Sequence, residues 1–466
     1  MDILLTHGYC MYEDPHEMEV RKPYPPLGIL YISAHLKAHG FDTKVFDMTF
    51  KSLDAFAEYV KRERPPVVGI YCNLMTRPRI IKMIKHCKEA GSLVVAGGPD
   101  SANWSEEYLE RGADVVVIGE GELTLEELLP HLARYGPNNM EHILGIVYRD
   151  GDGNIVRTPE RPYIDDLTAQ PFPDRAAIDI PEYVRVWKDN HGMGSVSLIT
   201  ARGCPYTCKW CSHAVYGYTH RRRSPENVAD ELQLIIDTYN PDMVWYADDV
   251  FTIHRGWFLK YVEELKKRGI KIPFETISRE DRLKEEIVAG LAEIGCFRIW
   301  VGAESGSQRI LDSMKRKTNA EGVIEVTHRL QRHGIEAGMF IMLGYDGEEM
   351  EDLEASVDLL KRSNPDVFLT TVAYPIKGTP YYKDVADRVI ALKSWEEGSD
   401  RDFTVAGRHS RRFYEHATRW MVNEVKLHKQ RQSPDRDPVA LAKAAINVQR
   451  GRAGMLLTQH EVESGQ

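Results

Sequence analysis

Three cysteines stand close together in the stretch ITARGCPYTCKWCSH, Ile199 to His213: Cys204, Cys208 and Cys211. The C-x3-C-x2-C spacing lets one loop wrap a small metal group in thiolates, with Gly203 and Pro205 suited to the turns required. Structural zinc takes four ligands, commonly two C-x2-C pairs or distant Cys and His pairs. No second CxxC is present, although His213 is close by. A four-iron cluster held by three thiolates keeps one iron open, and an open position is the mark of a metal that does chemistry. The remaining cysteines, Cys10, Cys72, Cys87 and Cys296, are scattered singly, and the total of seven is odd, which argues against a disulfide framework. Cys87 and Cys296 read as small core residues.

The elements that must position this loop form an alternating series. VSLIT (Val196–Thr200), MVWYA (Met243–Ala247), PFETI (Pro273–Ile277), RIWVG (Arg298–Gly302), AGMFIML (Ala337–Leu343) and VFLTTVAYP (Val367–Pro375) are candidate strands. Amphipathic stretches such as PENVADELQLIIDTY and EEIVAGLAEIG lie between them, the former opened by the helix start Ser224-Pro225-Glu226. Six such units predict a barrel or partial barrel with its active site at the strand C-terminal ends, and the cysteines leave the first of those strands.

The first third alternates in the same way, through strands at Ile3–Thr6, Thr43–Asp47, Val67–Cys72, Leu93–Gly98 and Val115–Gly121. Gly40 and Gly91 sit where helix C-caps belong. This predicts an α/β, doubly wound parallel sheet with a ligand at its topological switch point. Its strand-end loops carry His7-Gly8, Cys72-Asn73-Leu74, Gly97-Gly98-Pro99 and Gly119-Glu120-Gly121-Glu122, where glycine allows close backbone approach to a large planar ligand. ILGIVYRDGDGNIVRTP reads as a hairpin, and the Pro- and Asp-rich run after it as a linker with a boundary near Asp166–Glu182. The expected organisation is residues 1–140 as the doubly wound domain, 141–190 as hairpin and linker, 191–400 as the barrel, and 401–466 as a basic helical region.

That last region has 11 Lys/Arg against 4 Asp/Glu between Arg408 and Arg452, with Phe413, Trp420, Met421 and Val425 roughly on one helical face. It reads as a helix packed on the barrel, with a membrane-surface helix or a lid over an anionic or lipid-like substrate as the alternative. Across 466 residues, 42% hydrophobic and 28% charged residues give a globular balance. A net charge of -10 disfavours a general nucleic-acid binder. No apolar run approaches the ~20 residues of a membrane span, and MDILLTHGY lacks a basic leader, so the expected location is cytoplasmic.

The loop CPYTCKWC resembles the cluster loop of the radical S-adenosylmethionine (radical SAM) superfamily, C-x3-C-x-Φ-C with Trp210 as the aromatic Φ. The resemblance implies a partial (β/α)6 barrel and a [4Fe-4S] cluster on Cys204, Cys208 and Cys211. It implies SAM chelating the fourth iron and cleavage of SAM to a 5'-deoxyadenosyl radical. It further implies SAM contacts from Tyr206, Trp210, Asp248 and Asp249 (in YADDVFT), Ser278 and Arg279 (in ISREDRL) and Glu304 (in VGAESGSQRIL). From the residues themselves, Asp248 or Asp249 could equally cap the next helix. GMFIMLGYDGEE and YPIKGTPYY resemble later family segments, with Asp346 and Lys377 where proline is usual.

The first domain resembles the cobalamin-binding domain that precedes many radical SAM barrels, through YPPLGILYISAHLKAHGFDTKVFD and VVAGGPDSANWSEEYLERGADVVVIGEGELTLEELL. This implies cobalamin contacts from Asn73, Leu74, Met75, Gly97, Gly98, Gly119, Glu120 and Gly121, with Cys10 and Cys72 near the corrin. DPHEME keeps Asp14 and His16 of the D-x-H-x-x-G signature but has Glu19 for its glycine, and it reads as coincidence. The overall architecture resembles the anaerobic magnesium-protoporphyrin monomethyl ester cyclase and cobalamin-dependent methylase group. That implies methylation of an unactivated carbon, or oxidative cyclisation, of a small-molecule, lipid or tetrapyrrole substrate of hydrophobic character. It also implies an external electron donor such as flavodoxin or ferredoxin. The alternatives are a first domain that no longer binds cobalamin, a tRNA methylthiotransferase, which would need an RNA-binding barrel and a second cluster, and a zinc-binding scaffold protein.

Overall fold

The computed structural model describes residues 1–464. It comprises two compact units. The first holds Met1–Tyr206, Ser212–Asp248 and Lys393–Asp400; the second holds Thr207–Cys211, Asp249–Leu392 and the chain from Arg401 onward.

In the first unit, strands β1 (Ile3–His7), β2 (Thr43–Phe46), β3 (Val67–Tyr71), β4 (Leu93–Gly97) and β5 (Val115–Val117) form a parallel sheet. The hairpin β6 (Ile146–Arg149) and β7 (Ile155–Arg157) adds antiparallel to β5, so it continues this sheet instead of leaving it. The order β2-β1-β3-β4-β5-β6-β7 places the switch point between β1 and β3. Alternation along each strand sorts side chains to two faces. Leu4, Val68, Ile70, Val94 and Val116 meet Phe56, Val60, Ile80 and Ile84 on one side. Ile3, Leu5, Val67, Val95 and Val117 meet Ile29, Leu36, Leu125 and Leu128 on the other. Both faces are covered, which is why these strands read as nearly unbroken apolar runs. Gly40 follows the Leu27–Ala38 helix at φ +88, and the Phe41 amide bonds the Leu36 carbonyl, the closure a left-handed glycine permits.

The second alternating series forms β8 (Ser195–Leu198), a two-residue ribbon of β9 (Ala201–Arg202) and β10 (Arg221–Arg222), then β11 (Met243–Tyr246), β12 (Phe274–Ser278), β13 (Cys296–Glu304), β14 (Glu336–Leu343) and β15 (Val367–Val372). β8 and β11 pair in parallel register within the first unit, and β12, β13, β14 and β15 pair in turn, also in parallel, within the second.

The C-terminal region is helical: Arg411–Gln432 and Pro438–Thr458 pack on each other within the second unit. Phe413, Tyr414, Ala417, Trp420, Met421 and Val425 are buried against Met339, Ile341 and Leu343 of β14. The apolar face of the basic helix is therefore spent on the core, as the first reading of that region expects. Among the described residues no helix is long and apolar enough to cross a membrane.

Candidate active site: cysteine loop, strand-end cluster and cavity

The cysteine loop is held at its root by the first unit. Arg202 and Arg221 pair across the β9–β10 ribbon. Arg202 donates to Glu120 at 2.6 Å and Glu122 at 2.7 Å, and Arg221 donates to Glu120 at 2.8 Å. Gly203 then turns at φ +86, where a Cβ would lie 2.5 Å from the Thr219 carbonyl oxygen, so only glycine fits. Further along, the loop is held by the second unit. The Lys209 amide donates to Met314 O at 3.1 Å, and the Tyr381 amide donates to Lys209 O at 2.9 Å. Trp210 packs against the cluster of Ile310, Met314, Tyr345 and Tyr381, and the Lys209 ammonium pairs with Asp384 at 2.6 Å. The loop is irregular in backbone yet fixed at both ends.

Cys204 is half-buried, Cys208 buried and Cys211 exposed, and none is in a disulfide. Arg316 brings Nη1 to 3.9 Å from Cys208 Sγ, a cation set against one of the candidate metal ligands. Three cysteines carried on one loop, one of them beside a guanidinium, supply the residue types of an iron–sulfur cluster's donor set.

A polar cluster in the second unit ends strands β12 and β13. Ser278 Oγ lies 2.5 Å from Thr252 Oγ1. Arg279 donates through Nε to Asp281 at 3.0 Å and through Nη2 to the carbonyls of Arg316 (3.0 Å) and Lys317 (3.1 Å). Arg316 in turn donates to Gly302 O at 2.7 Å and lies 3.9 Å from Glu304. Glu304 has the left-handed φ of +63, unusual for a non-glycine residue and a candidate for strain kept for function. Burial pushes its carboxyl up to about 7, against the pull of Arg316 and Arg279 and with the help of Glu280. Glu280 Oε2 is buried without a hydrogen-bond partner. A buried orphan acceptor beside Arg279 suits a ligand that brings ammonium or hydroxyl donors, as SAM does.

The two carboxylates expected to contact SAM at the end of β11 behave differently. Asp248 is buried and accepts from Thr200 N at 2.7 Å, the Thr200 hydroxyl, Ala201 N at 3.3 Å and Arg222 at 2.9 Å. It ties the loop root to β11. Asp249 is exposed. Neither caps the next helix: His254 does, its ring accepting from Trp257 N. Tyr206, like Trp210, is half-buried.

Within the first unit, a cavity of about 90 Å³ opens at the sheet's switch point. The expected Gly97, Gly98, Gly119, Glu120 and Gly121 all line it. So do Gly28, Ile29 and Ile32 from the first long helix, and the aromatic Tyr71 and Tyr216. A Cβ on Gly28 would meet nothing within 4 Å, so a helix residue with low propensity borders open space. Gly98 (φ +112) could not carry a Cβ without lying 2.7 Å from Cys72 O. An apolar, glycine-bordered slot at this point fits insertion of part of a large cofactor such as cobalamin.

The other first-domain candidates are placed as follows in the structure. Asn73, Leu74 and Met75 do not line this cavity; Asn73 Oδ1 accepts from Met75 N at 2.9 Å and closes a local turn. Glu120 is committed to Arg202, Arg221 and the Ile164 amide (2.8 Å), so its carboxylate builds the loop root. Cys10 and Cys72 lie in the hydrophobic core, where burial pushes both thiols up, and their thiols donate to Lys51 O and Ile70 O. Asp14 caps the short helix Pro15–Val20 and His16 is exposed. Arg316 and Glu280 escaped the sequence reading. Arg316 lies outside any motif, and Glu280 is a charged residue beside the Ser278-Arg279 pair.

The radical SAM superfamily profile matches residues 198–360, and the B12-binding-domain profile matches residues 18–129. An uncharacterized methyltransferase of Pyrococcus horikoshii is 27% identical over 398 residues, 83% of this chain and 84% of that protein. The anaerobic magnesium-protoporphyrin IX monomethyl ester cyclase of Rubrivivax gelatinosus is 27% identical over 386 residues, 80% of this chain and 68% of the relative. Among solved structures, the cobalamin-dependent SAM radical enzyme OxsB with aqua-cobalamin bound superposes with a TM-score of 0.73 at 18% identity, over 98% of this chain and 72% of that one, and so shares the fold.

Proposed function

This chain joins a B12-binding domain to a radical SAM domain, and on that premise we propose that it is a cobalamin-dependent radical SAM methylase acting on an unactivated carbon of a hydrophobic small molecule. The observation that carries the reading is the cysteine loop fixed at root and far end, with Arg316 against Cys208.

In this reading Cys204, Cys208 and Cys211 hold a [4Fe-4S] cluster, and the glycine-bordered cavity takes part of cobalamin. When bound, the cluster supplies the electron that cleaves SAM, and cobalamin supplies the methyl group. The chain's own residues orient and shield. Arg316 neutralises charge beside Cys208. Glu280 and Glu304 receive the donor groups of SAM, and Ser278 and Arg279 shape the same wall. Glu304, raised to about 7, offers a hydrogen bond in either protonation state near neutral pH. Trp210, packed on Tyr381 and Met314, keeps water from the loop's inner side. The electron comes from a small redox protein of the flavodoxin or ferredoxin kind.

A second reading, oxidative cyclisation, is favoured by the alignment with the Rubrivivax gelatinosus cyclase over 80% of this chain. One experiment separates them. Anaerobically reconstituted protein is examined for cluster and corrin by spectroscopy, then incubated with methyl-labelled SAM and candidate substrates. Methylation carries the label into product; cyclisation leaves product unlabelled. Iron-free protein after reconstitution would overturn both. Cys208→Ala is expected to abolish SAM cleavage with the far-UV circular dichroism unchanged.

A further inference from the structure

We propose that His35, His39 and Glu126 form a binding site for one divalent first-row metal ion, of which zinc is the type, clamping two helices of the first unit together. His35 and His39 are spaced i, i+4, which puts both rings on one helical face. Glu126 comes from the Glu122–Tyr135 helix packed alongside.

His35 Nε2 lies 2.8 Å and His39 Nε2 3.9 Å from Glu126 Oε2, and the three ligand atoms all fall within 4.8 Å of one another. Ligands at ~2.0–2.1 Å around tetrahedral zinc sit about 3.3 Å apart, midway between those two spacings.

The other ring nitrogens supply the stronger argument. His39 Nδ1 lies 2.8 Å from the His35 carbonyl oxygen. A carbonyl only accepts, so Nδ1 carries the proton and Nε2 of the neutral ring presents a lone pair towards Glu126. His35 Nδ1 lies 3.1 Å from Gln170 Oε1 and follows the same logic. With both rings neutral, two lone pairs and a carboxylate converge, a conflict that either a metal ion or a second proton on a ring resolves. Outer-nitrogen hydrogen bonds of this kind are how proteins orient metal-ligating histidines. His35 is buried while the His39 and Glu126 side chains are 45% and 36% exposed, so the ion can enter from solvent and keep a water ligand.

The same helices supply Ile32, three positions before His35, and Leu125, next to Glu126, and both line the cavity. The clamp would fix the spacing of those walls. The site does not depend on whether the cavity takes cobalamin.

The test uses the full chain with Cys204, Cys208 and Cys211 all replaced by alanine, so that loop thiolates cannot compete. After chelator treatment it is titrated with Co(II) and Zn(II). The expected result is one equivalent bound, with cobalt d–d bands free of thiolate charge transfer and a rise in thermal midpoint with Zn(II). His39→Ala and Glu126→Gln, at partly exposed positions that tolerate change, should each weaken binding at least tenfold and remove the rise. No uptake, or uptake that both variants leave unchanged, overturns the proposal. So does a pH-dependent pairing of histidine and carboxylate that Zn(II) does not perturb, since a proton is then the only cation held.

Discussion

Arg316 serves three neighbours with one guanidinium: the carbonyl of Gly302, the sulfur of Cys208 and the carboxyl of Glu304. Arg316→Gln leaves the Gly302 carbonyl short of a buried donor and removes the cation that draws Glu304 down, so that carboxyl moves further above 7. The expected outcome is a several-fold drop in iron retained after anaerobic reconstitution, with a stability loss of about 1–3 kcal/mol. Arg316→Lys, which keeps the charge, should recover part of the iron; equal loss in both variants would show that charge is not what matters. Glu348 gives a second residue-scale prediction, away from the loop. Burial pushes its carboxyl up to about 8, despite the hydrogen bond it accepts from Gly344 N. The folded value lies above the unfolded one, so the group's favourable contribution is fully present below pH ~4.3 and is lost as pH rises towards about 8. Glu348→Gln should flatten that decline. The unfolding free energies of variant and parent, from urea titrations, should diverge in the variant's favour between pH 5 and pH 9, on the order of a few kcal/mol.

At the scale of elements, the loop works because its backbone has fixed ends. Gly203→Ala puts a β-carbon against Thr219 O and asks alanine for φ +86. Left-handed backbone alone costs about 1–2 kcal/mol. The ribbon should distort, with cluster content falling while the parallel sheets persist by circular dichroism. Full cluster content in this variant would mean the loop tolerates another turn. The strands themselves were legible in the amino-acid order, since each carries a short β-branched run bounded by turn residues, and the cysteines are spaced within one loop. Arg316 was not, because its role depends on a fold that brings it beside Cys208, 108 positions away. Glu120 sits in a glycine-rich strand-end loop that looks like ligand-binding sequence. Its carboxylate is taken by Arg202 and Arg221, a long-range pairing that no local pattern encodes. The hairpin was visible from DGDG, but its addition to β5 depends on which sheet edge is open.

For the whole molecule, Arg77 shows how the chain closes on itself. The segment Lys393–Asp400 returns to the first unit after the whole of the second alternating series. There Asp400 meets Arg77 at 2.7 Å across 323 positions of sequence, and Asp100 meets the same guanidinium at 2.6 and 2.9 Å. Arg77 and both carboxylates are fully buried. The Tyr108 hydroxyl donates to Asp100, and the faces of Trp104 and Trp395 lie 5.2 and 5.0 Å from the cation. Burial opposes the charge, and the hydrogen bonds and field of Asp100 and then Asp400 more than offset it. Removing one partner of such a group is costlier than the pair is worth, because the remaining charges stay buried. Arg77→Met leaves two carboxylates without their cation and should cost about 3–5 kcal/mol. Asp400→Asn keeps the Asp100 pair and should cost less. Hydrogen exchange of peptides covering residues 393–400 reads the consequence directly. Exchange there should rise in both variants, while peptides from Arg411–Gln432, anchored on β14, keep their protection. Unchanged exchange at 393–400 in Arg77→Met would mean that Trp395, packed on Trp104 and Tyr108, holds the segment without the ion pair.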